Sequence, residues 1–355
     1  MSKPIHIGIN AFGRIGAQLA RQLSENPNIQ VAHVNDISID PNDPSDVKYD
    51  LAYDSAHGRL DVEVVGDKVK VGDEEFGFSD EKDPRKIPWK EHHVDLVVDC
   101  TPFSDREFLS KHLASGVGHV IKSSPADADF TAVFGVNMEA MNIDTHRLIS
   151  NASCTTNCAA PVLKTIMDAF GIESGHLQST HSATSNNRTV DGANRSKPER
   201  GRSVLDNIIP TSTGAAKAIP KVLPELDGKL TADATRVPVL DGSLLTFNLV
   251  LGEDTTADDI NAVLEKAAQG PLKNVIACSD EELTCHDIRG RHEAAVVLTH
   301  NTRVSGRLAT IHAFYDNEAG YVAQLVRTIQ ALGHQAGYDV APNPQRAAAA
   351  AQFSA

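Results

Sequence analysis

The sequence predicts an α/β protein with two parts: a doubly wound, largely parallel sheet first, then an α+β domain with a mainly antiparallel sheet. Three observations lead there. The chain opens on a strand, a glycine-bearing turn, an amphipathic helix and a second strand that ends in an acid. Apolar strand-like runs then alternate with helical spacing as far as Ser150, the order that parallel sheets require. From Cys154 the pattern changes to one long helix followed by long strands.

The first strand is Ile5-His6-Ile7-Gly8-Ile9-Asn10, and the turn is Ala11-Phe12-Gly13-Arg14-Ile15-Gly16. Helical spacing continues at Ile15, Leu19, Ala20 and Leu23, and the second strand, from Gln30 to Asn35, ends on Asp36. This is the order of a Rossmann-type dinucleotide-binding unit, with its acid about twenty residues beyond the last glycine. Gly13 would let the backbone approach a pyrophosphate, and Gly16 would let the helix pack closely on the strand. The helix N-terminus offers N–H groups to phosphates. Asp36 would accept the adenosine ribose hydroxyls and repel a 2′-phosphate, which favours NAD over NADP. Ala11 stands where the fingerprint has its first glycine. A positive φ there would cost alanine about 1 kcal/mol.

Val94–Asp99 reads as another buried strand, followed by Thr101-Pro102 and a helix from Asp105 to Ser115. His119–Ile121 and Thr131–Val136 continue the sheet. In the second part, strands are expected at Ala232–Val239, Ser243–Leu251, Ala294–Thr299 and Leu308–Phe314. Thr255 and Asp258 are expected to cap a helix carrying Ile260, Val263, Leu264 and Ala267. A last helix, with Val322, Leu325, Val326, Ile329 and Leu332, ends near Gly333. Residues 336–355, with Pro342, Pro344 and an alanine run, are expected to be disordered.

Chemistry concentrates at Asn151-Ala152-Ser153-Cys154-Thr155-Thr156-Asn157-Cys158. Apolar residues at Leu163, Ile166, Met167 and Phe170 mark this stretch as the start of an amphipathic helix, with Cys154 at its N-terminus. Unpaired N–H groups and the positive end of the dipole favour a thiolate there, so the thiol pKa is expected to fall. The plain alternative is a small apolar side chain in the core. His181, near the end of a strand-like run from Leu177, is one of fifteen histidines. Spacing alone does not establish that it reaches Cys154.

Composition narrows the classes. A length of 355 residues suits two domains, and 41% hydrophobic with 23% charged residues is ordinary for a globular chain. A net charge of −14 argues against nucleic acid or an anionic membrane as the main partner. No apolar run approaches the length of a membrane span, and no signal peptide precedes the first strand. The five cysteines, an odd number without CxxC pairs, suggest a reducing cytoplasm. No metal site is expected.

Over residues 4 to 335 the chain resembles the phosphorylating glyceraldehyde-3-phosphate dehydrogenase family. The resemblance rests on the segments Gly8–Gly16 and Ala152–Cys158, on Asn207-Ile208-Ile209-Pro210-Thr211-Ser212-Thr213-Gly214-Ala215-Ala216-Lys217-Ala218, and on Leu223–Leu230, Arg236-Val237-Pro238 and Tyr315–Tyr321. It implies an NAD-binding domain over 1–153, joined by the helix 319–335, and a catalytic domain over 154–318. It implies oxidation of glyceraldehyde 3-phosphate through a Cys154 thioester with His181 as base, and resolution by inorganic phosphate. Erythrose 4-phosphate is the rival substrate within the family, and a non-catalytic paralogue the rival class. By motif, Asn10, Phe12, Gly13, Arg14, Ile15, Asp36, Lys82, Thr101, Ser123 and Asn317 would hold NAD. Thr184 and Arg236 would hold the substrate phosphate, while Ser153, Thr155, Thr213 and Gly214 would hold the attacking one. A homotetramer is implied, with the basic loop from Thr184 to Asn207 at its centre. Departures from the family pattern include Pro102, Ala183, Lys82 in place of an arginine, and Lys122 where an apolar residue is usual.

Overall fold

The computed structural model describes residues 3–24, 26, 28–195 and 197–340. The chain divides into two compact units, one made of the described residues within 1–132, 138–152 and 325–355, the other of those within 133–137 and 153–324.

The first unit begins with β1 (Ile5–Asn10), α1 (Arg14–Leu23), β2 (Ile29–Asn35), α2 (Ser45–Ala52) and a small hairpin, β3 (Tyr53–Asp54) with β4 (Gly58–Arg59). It continues through β5 (Val62–Val65), β6 (Lys68–Val71), β7 (Glu74–Ser79), β8 (Leu96–Asp99), α3 (Arg106–Ala114), β9 (His119–Lys122), β10 (Phe130–Thr131) and β11 (Leu148–Ser150). The sheet order is β10-β11-β9-β8-β1-β2-β7-β6-β5. From β10 to β7 the neighbours run parallel, and β6 and β5 return antiparallel. Trp89, Val97, Leu109, Val120 and Leu148 form part of one buried cluster in this unit. Gly8 must be glycine: a Cβ there would lie 2.6 Å from the Trp89 ring.

The second unit holds α4 (Cys154–Phe170), β12 (Ile172–His181), β13 (Ile209–Ser212), α5 (Ala215–Ala218), β14 (Leu230–Arg236) and β15 (Ser243–Leu251). Next come α6 (Ala257–Gln269), β16 (Ile276–Ser279), β17 (Ala295–Leu298), β18 (Arg303–Ser305) and β19 (Leu308–Tyr315). The path β13-β14-β12-β15-β19-β17-β16 is mainly antiparallel; β12 with β14 and β16 with β17 are its parallel pairs. In β15 buried and half-buried residues alternate along the whole strand, as a period of two requires. The last helix, α7 (Ala319–Gln335), is divided between the units, its residues from Leu325 onward belonging to the first.

Some expectations need correction. The run Thr131–Val136 is strand only through Thr131, because Val133–Val136 closes a turn and Gly135 takes φ 78°. The cap of α6 is Thr256, one residue on from Thr255, and its hydroxyl accepts the Asp259 N–H at 3.1 Å. Residues 341–355 of the expected tail lie outside the described residues. Its beginning is packed, with the Tyr338 hydroxyl donating to Asp95 at 3.0 Å and Val340 buried. Among the described residues no helix is long and apolar enough to cross a membrane.

Candidate active site

Ser153 starts α4. In extended conformation, its hydroxyl accepts the Thr156 N–H at 3.1 Å, and this N-cap fixes the helix's first turn. Ala152, just before it, is fully buried with φ 52°, a strained conformation for alanine at the entry to the helix. Cys154 therefore sits at the head of α4, where nearby donors of Thr155 and the helix's first N–H groups work to lower its thiol pKa. Cys158, one turn further, is fully buried, as structural filler would be.

His181 ends β12, and its Nε2 lies 3.6 Å from Cys154 Sγ. Spacing left this approach open, and the fold supplies it. The register of β12 against β14 then places Arg236 directly beside His181. Arg236 Nη1 lies 2.8 Å from His181 Nδ1, 2.8 Å from the Ser182 carbonyl and 3.5 Å from Thr184 Oγ1. Thr184 and Arg236, assigned to one anion, are thus together. Tyr315 lies edge-on to the His181 ring, and its hydroxyl is within hydrogen-bond distance of Thr155 at 3.0 Å and Ser179 at 2.9 Å.

Burial decides the charges. It pushes the Cys154 thiol up, against the Arg236 charge and the surrounding donors. Burial, with Arg236 beside it, pushes His181 down to about 3. The expected lowering of the thiol pKa is therefore overturned in this arrangement, because desolvation outweighs the helix terminus.

The residues assigned to the attacking phosphate are less open than expected. The Ser153 hydroxyl serves the cap and that of Thr155 meets Tyr315. Thr213 accepts the Ala215 N–H at 3.3 Å, and Gly214 caps the short α5 with open space around it. No hydrogen bond among the described residues joins this turn to Ser153 or Thr155. The basic loop is stapled to β13, Lys197 donating to Ser212 at 2.6 Å and Arg200 to Thr211 at 3.0 Å.

Asn317 is held in one orientation. Ser243 Oγ accepts the Ser182 N–H at 3.1 Å, so its own proton goes to Asn317 Oδ1 at 2.8 Å. Ser182 Oγ donates to the same oxygen at 2.8 Å.

In the first unit, a row of polar side chains closes the carboxyl ends of five adjacent strands: Ser79, Asn35, Asn10, Asp99 and Lys122, each in register with the next. Ser79 donates to Asn35, Asn35 to Asn10, and Asn10 to Asp99 at 2.8–2.9 Å. Lys122 donates to Asp99 at 2.7 Å and also to the Thr101 carbonyl. The Trp89 indole donates to His112 Nδ1 at 3.1 Å, so His112 Nε2 carries the proton that Asp99 accepts. Asn10 is thereby a buried positioning residue whose amide is used within the protein. Thr101 gives both its N–H and its hydroxyl to Asp99, and the Ser123 N–H goes to the Asp99 carbonyl at 3.0 Å.

Above this row, Ala11 takes φ 74°, the conformation for which a glycine is the usual residue. A Cβ on Gly16 would lie 2.4 Å from the Ala11 carbonyl, whereas Gly13 has open space around it. Asp36 accepts the Phe12 N–H at 2.6 Å and the Ser38 N–H at 2.8 Å. The Phe12 ring packs on Phe76 and Phe78. The Arg14 guanidinium pairs with Asp54, Ile15 is half-buried in the first turn of α1, and Lys82 is exposed.

Comparison with known proteins decides the family. Residues 5–107 match the model of the glyceraldehyde 3-phosphate dehydrogenase NAD binding domain, and residues 153–317 that of its C-terminal domain. Glyceraldehyde-3-phosphate dehydrogenase 1 of Bacillus subtilis (strain 168) is 40% identical over 327 residues, 91% of this chain and 96% of that protein. The chain belongs to the glyceraldehyde 3-phosphate dehydrogenase family. The Geobacillus stearothermophilus dehydrogenase is 41% identical over 91% of this chain and 96% of its own length. Glyceraldehyde-3-phosphate dehydrogenase 3 of Saccharomyces cerevisiae is 38% identical over 92% and 98%.

As a member of that family the chain is an NAD-dependent oxidoreductase. Its residues suit the cofactor: α1 has Gly13 as its N-cap, with no side-chain cap and no acid in its first turn, which leaves the helix terminus to an anion. Sequence reasoning missed Ser182, Ser243, Asp99 and His112 as partners, and gave Tyr315 no role. Tyr315 lies inside a recognised motif, Tyr315-Asp316-Asn317; the others carry no local signal because their partners are remote in sequence.

Proposed function

We propose that this chain oxidises glyceraldehyde 3-phosphate to 1,3-bisphosphoglycerate with NAD and inorganic phosphate, as a cytoplasmic homotetramer. The observation that carries the reading is Cys154 Sγ at 3.6 Å from His181 Nε2, with Arg236 locked beside the histidine by strand register. Exposed Val190 and Leu205 in the basic loop, with Ile208 just after it, support self-association.

Cys154 attacks the aldehyde carbon and forms a hemithioacetal, its oxygen stabilised by the N–H groups at the head of α4. His181 takes the hydroxyl proton as the carbon is oxidised to the thioester. NAD, when bound, supplies the hydride acceptor. Inorganic phosphate then attacks the thioester carbon, the C–S bond breaks, and the acyl phosphate leaves Cys154 as it began. A thioester suits this transfer because sulfur leaves readily. Arg236 and Thr184 grip the substrate phosphate and orient the carbonyl. Asp36 and the Gly13 turn would hold the adenosine ribose and the pyrophosphate. The remaining assigned residues, Lys82, Thr101, Ser123 and Asn317, would line the cofactor.

The test is a set of initial rates with glyceraldehyde 3-phosphate and erythrose 4-phosphate, each with NAD and NADP, with and without phosphate. Glyceraldehyde 3-phosphate with NAD and phosphate should give the highest kcat/KM. A higher value with erythrose 4-phosphate would reassign the substrate.

A further inference from the structure

The sheet order places the two halves of a bound dinucleotide. In a Rossmann unit the pyrophosphate lies at the N-terminus of the first helix, and the acid ending the second strand holds the adenosine ribose. Here these are the Gly13 turn after β1 and Asp36 after β2, with β8 and β9 following on the far side of β1. A cofactor that starts over β2 and crosses β1 carries its nicotinamide nucleoside on over the carboxyl ends of β8 and β9. Those ends are Asp99 and Lys122, paired in register, with neither side chain exposed to water.

The Asp99 carboxylate is fully engaged. One oxygen accepts Lys122 at 2.7 Å, the Thr101 N–H at 3.1 Å and the Thr101 hydroxyl at 2.7 Å. The other accepts Asn10 at 2.8 Å and lies 3.1 Å from His112 Nε2. Lys122 also donates to the Thr101 carbonyl, so the N–H, the hydroxyl proton and the carbonyl of Thr101 are all used within the protein. What Asp99 and Thr101 offer a nicotinamide is therefore net charge rather than free hydrogen-bonding groups. Among the described residues, Lys122 is the one lysine or arginine paired with Asp99.

The nicotinamide ring is cationic in NAD and neutral in NADH, so a charge beneath it acts on one form and not on the other. A buried charge is screened little by salt. We propose that Lys122 is a positioning residue for the cofactor's redox balance: acting through Asp99, its ammonium cancels a negative charge that would otherwise hold NAD in preference to NADH. The same side chain ties the Thr101 turn to the end of β9. Asp99 alone would hold NAD more firmly and make it the weaker oxidant. Lys122 keeps the bound cofactor the stronger one, whichever aldehyde is oxidised.

The test is binding alone, with no aldehyde or phosphate: Kd for NAD and for NADH, by calorimetry, in wild type and variants at one ionic strength. Lys122→Met removes both the charge and the donor, whereas Lys122→Gln removes the charge and keeps an N–H for Asp99 and Thr101. Both should lower the ratio of the NAD Kd to the NADH Kd by about fivefold, on the scale of one uncompensated charge at an effective dielectric constant of about 20. Lys122→Met with Asp99→Asn removes both charges and should return the ratio to within about twofold of wild type.

A purely structural role would change both Kd values by the same factor and leave their ratio where it was; that result overturns the proposal. So does a shift confined to Lys122→Met, which would assign the effect to the hydrogen bond with Thr101 and not to charge. A shift that persists in the double variant overturns it too, since no net charge is then left to cause it. Each variant is read below its own unfolding transition, and Lys122→Gln carries the test if Lys122→Met does not fold.

Discussion

Lys122 and Asp99 form an ion pair at 2.7 Å with neither side chain exposed to water. Burial alone would raise the Asp99 carboxyl, yet His112 and Lys122 hold it well below the usual carboxylate range. Removing one partner strands the other charge, a loss of about 3–5 kcal/mol, whereas replacing both can be near neutral. Lys122→Met should therefore destabilise the protein strongly, and Lys122→Met with Asp99→Asn should recover a large part. Denaturant midpoints measure this. A single variant within about 1 kcal/mol of wild type would show that the pair does not hold this edge of the sheet.

Cys154→Ser should abolish aldehyde oxidation while NAD affinity, followed by calorimetry, stays nearly unchanged. Turnover above a few percent of wild type would remove Cys154 from the nucleophile's role. His181→Asn should slow the chemical step by about 10²-fold or more.

NAD should be used at least tenfold more efficiently than NADP, and Asp36→Ala should narrow that gap. Asp36 already accepts two backbone N–H groups, which keeps its carboxylate at the end of β2. A contrast of about 1.4 kcal/mol against a 2′-phosphate is enough for the factor of ten. Equal efficiency in the wild-type protein contradicts the role given to Asp36.

His33 stacks on His92 at 4.0 Å between ring centroids, and burial together with that neighbour pushes its pKa to about 3. The unfolded chain takes up a proton here near pH 6.5, while the folded one resists until about pH 3. This histidine is thus harmless above pH 6.5 and costs up to about 1.4 kcal/mol per pH unit as pH falls through that window. Stability should drop on acidification, and His33→Gln should flatten the slope by one proton's share, leaving the share of His181. A slope identical to wild type between pH 4 and 6.5 would show that His33 charges freely in the fold.

Where periodicity is strong, the sequence and the structure agree closely. β1 and β15 span the residues that their apolar patterns mark, and α4 begins at Cys154, where the apolar spacing puts it. The meander β5–β6–β7 escaped notice because its strands are short and rich in charge, Lys68–Val71 and Glu74–Ser79 among them. Gly135 shortened an expected strand through its turn, which an apolar run does not advertise. The contact of Cys154 with His181 and the pairing of His181 with Arg236 depend on strand register across remote segments. No local pattern encodes that register. Lys122 reads as an oddity in sequence because its partner, Asp99, lies on another strand.

The division of α7 has a consequence for how the chain is made. Thr328 donates to Asn151 at 2.7 Å, the Asp339 N–H to the Lys3 carbonyl, and a Cβ on Gly333 would lie 2.6 Å from Val340, so the first unit's packing includes residues synthesised after the second unit. At about 5–20 residues per second, a ribosome spends roughly ten to thirty seconds on the second unit after the first unit's sheet has emerged. Through that interval the N-terminal sheet waits with the face that belongs to α7 uncovered. A nascent chain arrested before Leu325 should therefore be a far better substrate for proteases and chaperones than one that extends beyond α7.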